Sequence, residues 1–245
     1  MSQLSKNGPF LWVALDGLVQ DELGTFAVMD KLEKVEGDFG FKVGGDYLLK
    51  RSAKDARARL SSRPAFADVK MWSSTAVMER SFHVLHDAGF EATNAYALAG
   101  EGLGKAITAF RRNASSDSRL RIYTLTILTH YDDAYCNRMF LNGLSETVVR
   151  LALEGLNTGA DGIIMPGTAL SVVDAALSAC YCSSLTKIVP GIRQPGEFNG
   201  DRQKQRTRPE EIAGRTDIEA VVGEPIMGSN DPVAALEQML KVLQG

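Results

Sequence analysis

Asp68-Val69-Lys70 closes an apolar run, and two earlier apolar runs also meet charge at or near their ends, at Asp16 and Lys42. Side chains of a strand alternate between its faces, so Asp68 and Lys70 are expected to point the same way, roughly 7 Å apart along the strand. If the three runs are neighbouring strands, two carboxylates and two ammonium groups enter one pocket. Such a cluster is costly to bury and is usually kept where charge is managed for chemistry. An ammonium beside developing negative charge stabilises a transition state more than a ground state, and a nearby carboxylate keeps that ammonium protonated. Taken singly, Asp16-Gly17 reads as a turn and Lys42 as a solvated strand end; three successive strands ending on charge favour a functional cluster.

The elements that must position these groups are legible as two alternating patterns. Short apolar runs rich in β-branched residues lie at 11–15, 39–43, 66–69, 93–98, 122–128, 162–165, 187–192 and 220–222. Between several of them, apolar residues recur with helical spacing: Val28, Leu32 and Val35; Met78, Phe82 and Leu85; Leu144, Val148 and Leu151; Leu170, Val173 and Leu177; Val233, Leu236, Leu240 and Leu243. Gly89 and Gly159 fall where helix C-caps belong, and Asn230-Asp231-Pro232 reads as a helix start. Continuous apolar strands fit a parallel sheet covered by helices. Eight strand-helix units in 245 residues predict an α/β fold of the TIM (β/α)8 barrel type rather than an open doubly wound sheet. No linker, repeat or low-complexity stretch divides the chain, so one domain is expected, with the barrel over about 10–243 and a short tail at 1–9.

Composition narrows the function. A hydrophobic share of 44% with 23% charged residues suits a globular enzyme with a sizeable core. The longest early apolar run stops at Asp16, so neither a membrane span nor a signal peptide is expected. A net charge of −3 argues against a broad nucleic-acid face. Cys136, Cys180 and Cys182 are odd in number and lack metal-ligand spacing, which reads as reduced thiols and a cytoplasmic location. His83 and His86 lack a third ligand, so no metal site is expected there. Gly100-Glu-Gly102-Leu-Gly104-Lys105 breaks the phosphate-loop pattern at Ala99 and Ala106 and reads chiefly as the opening of a helix. Neither a Gly-x-Ser-x-Gly elbow nor a His-Glu-x-x-His pair is present, against common hydrolase chemistry.

Barrel active sites sit at the C-terminal ends of the strands. Read in order, those ends supply Asp16, Lys42, Asp68 with Lys70, Tyr96, Thr126 with His130, Pro166, Arg193 and Glu224. Around them, Val13-Ala-Leu-Asp16, Phe41-Lys42-Val-Gly44, Ala67-Asp68-Val-Lys70, Leu125-Thr-Ile-Leu-Thr129, Gly159-Ala-Asp-Gly162, Val189-Pro-Gly-Ile-Arg193 and Val222-Gly-Glu-Pro-Ile226 occur in one order and spacing. In these segments, from about Leu11 to Leu243, the chain resembles the orotidine 5'-phosphate decarboxylase superfamily, which also holds sugar-phosphate decarboxylases and aldolases. The resemblance implies a homodimer with shared active sites that loses carbon dioxide from a nucleotide without cofactor or metal. It implies that Asp16 and Lys42 hold ribose hydroxyls and orient the cluster, that Asp68 presses on the substrate carboxylate, and that Lys70 is the proton donor. It further implies substrate or phosphate contacts from Thr126, Pro190, Gly191, Arg193, Gln203, Gly223 and the position of Glu224. His130, just past the fifth strand, is by its position a possible contact at the mouth.

Two positions depart from the family pattern. The last aspartate of Asp-x-Lys-x-x-Asp, which that family takes from the partner subunit, falls here on Ser73. Glu224 stands where the family's Gly-Arg grips phosphate. A substitute grip is offered between Arg193 and Arg208, where Arg193, Arg202, Lys204, Arg206 and Arg208 outnumber Glu197 and Asp201; the loop after strand 7 of a barrel is a frequent phosphate site. The expected reaction is conversion of orotidine 5'-phosphate to UMP, a step of pyrimidine biosynthesis, in a divergent form. The alternatives are a repurposed superfamily lyase or isomerase on another, modified nucleotide or sugar phosphate, and a noncatalytic nucleotide-binding homologue. The partners expected are a small-molecule substrate and a second copy of the chain, with no nucleic acid and no membrane.

Overall fold

Strands form along the short runs rich in apolar and β-branched residues, and in the computed structural model, which describes residues 8–114, 120–182, 185–193 and 204–245, they close on themselves. The strands are β1 (Phe10–Ala14), β2 (Phe39–Gly44), β3 (Ala65–Met71), β4 (Ala92–Tyr96), β5 (Arg121–Leu125), β6 (Gly162–Ile164), β7 (Thr186–Pro190) and β8 (Ile218–Val222). All neighbours pair in parallel and β8 returns to β1, giving a closed barrel in sequence order. The helices outside it are α1 (Glu22–Leu32), α2 (Gly45–Lys50), α3 (Ala53–Arg59), α4 (Thr75–Asp87), α5 (Gly100–Asn113), α6 (Asp133–Phe140), α7 (Leu144–Asn157), α8 (Leu170–Ala179), the single turn α9 (Glu224–Met227) and α10 (Pro232–Gln244). The expected (β/α)8 fold is therefore the observed one.

Alternation along the strands divides the core in two. Leu11, Val13, Phe39 and Phe41 face outward onto the helices, whereas Phe10, Trp12, Ala14, Phe66, Tyr123, Ile164, Ile188 and Val221 fill the lumen. Helix ends follow the residues expected of them. Gly89 and Gly159 take the left-handed conformation (φ +89° and +75°) just beyond α4 and α7, where a side chain would be strained. The Asp231 carboxylate accepts the Ala234 N–H at the start of α10, satisfying an otherwise unpaired donor.

All eight strands differ from the sequence reading by one to three residues at one end or both, and three of these differences bear on the mouth of the barrel. β4 stops at Tyr96 and β5 at Leu125, earlier than the apolar runs suggest, because 97–99 turn into a short 3-10 helix and Thr126–Leu128 leave the ladder. β3 continues to Met71, past the expected end, but not regularly: Ala67 pairs with Thr93 and Met71 with Ala95, so three residues of β3 stand opposite Asn94 alone. At the other end of the lumen lies a network the sequence reading did not contain. The Glu219 carboxylate accepts from Trp12 Nε1 at 2.6 Å and from the Tyr123 hydroxyl at 2.9 Å, and pairs with Arg121. It seals the N-terminal end of the barrel.

Candidate active site

The first three strands deliver their charges to one place. Lys42 Nζ lies 2.8 Å from Asp68 Oδ2 and 3.4 Å from Asp16 Oδ1, and Lys70 Nζ lies 2.7 Å from the same Asp68 oxygen. The side chains grade from buried to open: Lys42 and Asp68 are 9% and 10% exposed, Lys70 37% and Asp16 69%. Burial opposes the charge on Lys42, but the carboxylates of Asp68 and Asp16 outweigh it and hold the ammonium above the usual lysine range. Burial likewise opposes ionisation of Asp68, and the ammonium groups of Lys42 and Lys70 more than compensate, holding its carboxyl well below the usual carboxylate range. An ionised, ordered cluster with one open edge results.

The geometry of Lys70 is not that of a regular strand. Its φ is +49°, a left-handed conformation that costs a non-glycine residue on the order of 1–3 kcal/mol. The sequence reading had both side chains on one face through simple alternation; they do share a side, but through the β3 bulge, which brings them into contact instead of leaving a two-residue spacing. Asn94 fills the gap. Its Oδ1 accepts the Lys70 backbone N–H at 2.7 Å and its Nδ2 donates to Asp68 Oδ1 at 2.7 Å. The sequence reading passed over Asn94. A carboxamide within a buried strand was the available signal, since such a group must find partners.

The cluster forms one wall of a cavity of about 650 Å³ at the C-terminal mouth of the barrel, within the range of small-molecule sites. Pro190, Gly191, Arg193, His130, Gly223 and Glu224 also line it, as do the apolar side chains of Phe66, Ile164, Ile188 and Met227. Gly191 has φ +80°, so a side chain there would be strained. Glu224 faces the cavity but curls back over its own turn: its Oε1 lies 2.5 Å from where a Cβ on Gly228 would stand.

Two expected contacts lie elsewhere. Thr126 is buried outside the cavity lining, with both its N–H and its hydroxyl donating to the Ile164 carbonyl at 3.0 Å, and the next residue, Ile127, lines the cavity. Ser73 is exposed and does not line the cavity of its own chain. Gln203, together with Glu197, Asp201 and Arg202, lies outside the described residues. The end of that loop is tied to its neighbours: the Lys204 and Gln205 N–H groups both donate to the Thr129 carbonyl at 3.0 Å, and Lys204 Nζ lies 2.5 Å from Asp132. The His83 and His86 rings pack edge-on against Phe110, 5.0 and 5.9 Å away, on the outer helices and away from the mouth.

Comparison with known proteins places the chain. The sequence profile of the Orotidine 5'-phosphate decarboxylase / HUMPS family matches residues 9–239. The chain belongs to this family. It is 31% identical over 198 residues to the orotidine 5'-phosphate decarboxylase of Halorhodospira halophila, covering 79% of this chain and 80% of that protein. It is 29% identical over 240 residues to the orotidine 5'-phosphate decarboxylase of Synechococcus, covering 95% and 94%. Among solved structures, orotidine 5'-phosphate decarboxylase from Lactobacillus acidophilus superposes with a TM-score of 0.74 at 22% identity, over 97% of this chain and all of that one, and an uncharacterized conserved protein from Geobacillus kaustophilus with 0.75 at 17% identity. At those identities the two superpositions speak for the barrel alone.

Proposed function

We propose that the chain is a carboxy-lyase that converts orotidine 5'-phosphate to UMP without cofactor or metal, in a divergent form. The observation that carries this reading is the joining of Asp16, Lys42, Asp68 and Lys70 into one chain of contacts of 2.7 to 3.4 Å at the mouth of a family barrel. The substrate carboxylate would lie against Asp68, whose ionised state disfavours a second anion beside it. Departure of that carboxylate as carbon dioxide leaves its bonding electron pair on the ring carbon, where the Lys70 ammonium stabilises the charge and then gives up a proton to form the new C–H bond. Lys70 regains its proton from water. Asp16 and Lys42 would take the ribose hydroxyls, and Pro190, Gly191, Arg193 and Gly223 would surround the phosphate with help from Gln203.

Ser73 belongs to a shared site in this reading. Trp72, beside it, is 64% exposed, and Leu98, Met139 and Leu141 are exposed along a groove next to α5 and α7. Large apolar side chains open to water beyond β3, β4 and β5 support a face for a second copy of the chain. With serine in place of the family aspartate, the partner brings a hydroxyl to the mouth where a further charge would stand. Two unit charges about 4 Å apart interact by roughly 4 kcal/mol at an effective dielectric near 20, so Ser73→Asp is expected to raise decarboxylation by about two to three powers of ten.

The experiment is direct. Purified protein should bleach the orotate absorbance of orotidine 5'-phosphate, and Lys70→Ala should stop it. Tight UMP binding with no turnover by the wild type would instead make the chain a nucleotide-binding homologue. Glu224 favours a second reading, a superfamily lyase or isomerase acting on a different nucleotide or sugar phosphate, since an acid at the phosphate end weakens the hold on a dianion. Loss of that other activity in Ser73→Asp would support it.

A further inference from the structure

Asn94 is buried within β4, opposite the three-residue bulge of β3, and both polar ends of its side chain are committed to the two residues on which the proposed chemistry turns. A carboxamide is a poor strand former, and burying one is unfavourable unless it is bonded. Neither of its two side-chain bonds serves the ordinary ladder. One captures the backbone N–H of Lys70, which the bulge removes from regular pairing with β4; the other fixes the oxygen of Asp68 that faces away from both lysines. Lys70 is the one non-glycine strand residue with positive φ among the described residues. A left-handed residue persists only where its surroundings over-determine it.

We infer that Asn94 is a positioning residue, holding the Lys70 backbone in its left-handed conformation and turning the Asp68 carboxylate so that the Lys70 ammonium is aimed into the cavity. The bulge shapes the strand, and the carboxamide locks it. The effect on rate rests on the decarboxylase reading, whereas the effect on geometry does not. A reacting group misplaced by about 1 Å can lose on the order of a hundredfold in rate.

The test uses Asn94→Ala and Asn94→Asp in the full chain, each read by crystallography and by steady-state kinetics on orotidine 5'-phosphate. In Asn94→Ala residue 70 should leave the left-handed region, its contact with Asp68 should open, and kcat should fall about a hundredfold with KM changed less than about threefold. Asn94→Asp keeps an acceptor for the Lys70 N–H but sets a like charge against Asp68, so residue 70 should stay in place while kcat still falls. Lys70 and Asp68 unmoved in Asn94→Ala, or a loss confined to thermal stability with kcat intact, would overturn the inference. Should Asn94→Ala fail to fold, Asn94→Asp decides: Lys70 displaced despite its retained acceptor would also overturn it. A wild type that does not turn over orotidine 5'-phosphate would defeat the decarboxylase reading, and the crystallographic comparison would still decide the role of Asn94.

Discussion

The two ends of the barrel lumen both hold buried charge, and they use it oppositely. At the N-terminal end the carboxylate of Glu219 is saturated by donors of fixed geometry, the Trp12 indole, the Tyr123 hydroxyl and the Arg121 guanidinium. Around them pack aromatic faces, with Trp12 and Phe66 5.4 Å apart and Phe66 and Tyr123 5.7 Å apart. At the C-terminal end Asp68 is equally surrounded, by Lys42, Lys70 and Asn94, but two members of the cluster remain open to a large cavity. A network with no open edge can only hold the fold. One with an open edge can be completed by a ligand, and its strained lysine shows that stability has been traded for placement.

The sharpest way to break this contrast is at the open end. On the proposed mechanism, Lys70→Ala should lower kcat by about 10⁴-fold, combining loss of the proposed proton donor with loss of the charge beside the forming carbanion, while the melting temperature stays near that of the wild type. At the closed end the effects should invert. Glu219→Leu should destabilise the protein by about 3–5 kcal/mol in denaturant unfolding, because the partly buried Arg121 loses its counter-ion and the buried Trp12 and Tyr123 donors lose their acceptor, while kcat of the folded protein is unchanged. Adding Arg121→Met should recover much of that loss. A smaller effect is expected from Glu224→Arg, which should lower KM for a phosphorylated ligand about tenfold, or about 1.4 kcal/mol, with kcat nearly constant.

The smallest effect is in the pH dependence of stability. The Asp68 carboxyl is held below its unfolded value, so its contribution is present above about pH 4 and is lost as pH falls toward the folded value. The Lys42 ammonium is held above its unfolded value, so its contribution is complete below about pH 10 and is lost as pH rises beyond that. Stability contributed by the pair is therefore flat between those limits. Asp68→Asn should make the acid limb of a denaturation profile shallower.

Particular residues show how much of this was legible. The apolar runs ending at Asp16, Lys42 and Asp68 located three strands and the charge at their ends, since both signals are local in sequence. Gly89, Gly159 and Asp231 marked helix boundaries for the same reason. Thr126 misled, because a hydroxyl at a strand end looks the same whether it faces a cavity or the carbonyl of the next strand. Asn94 escaped, because its partners lie 24 and 26 positions away and nothing beside it in the chain announces them. Glu219 escaped likewise, with its partners 96 to 207 positions distant.

The sequence by itself determined the order of elements, the barrel they close into and the family to which the chain belongs, because hydrophobic period and motif spacing are properties of contiguous residues. Only the tertiary structure decided that β3 bulges at Asp68–Lys70, that Asn94 bridges the bulge, that Glu224 folds over its own turn and that the lumen is plugged at one end and open at the other. Those features depend on which side chains from separate strands stand at the same level. Register across a closed sheet is set by the packing of the whole barrel rather than by any one segment.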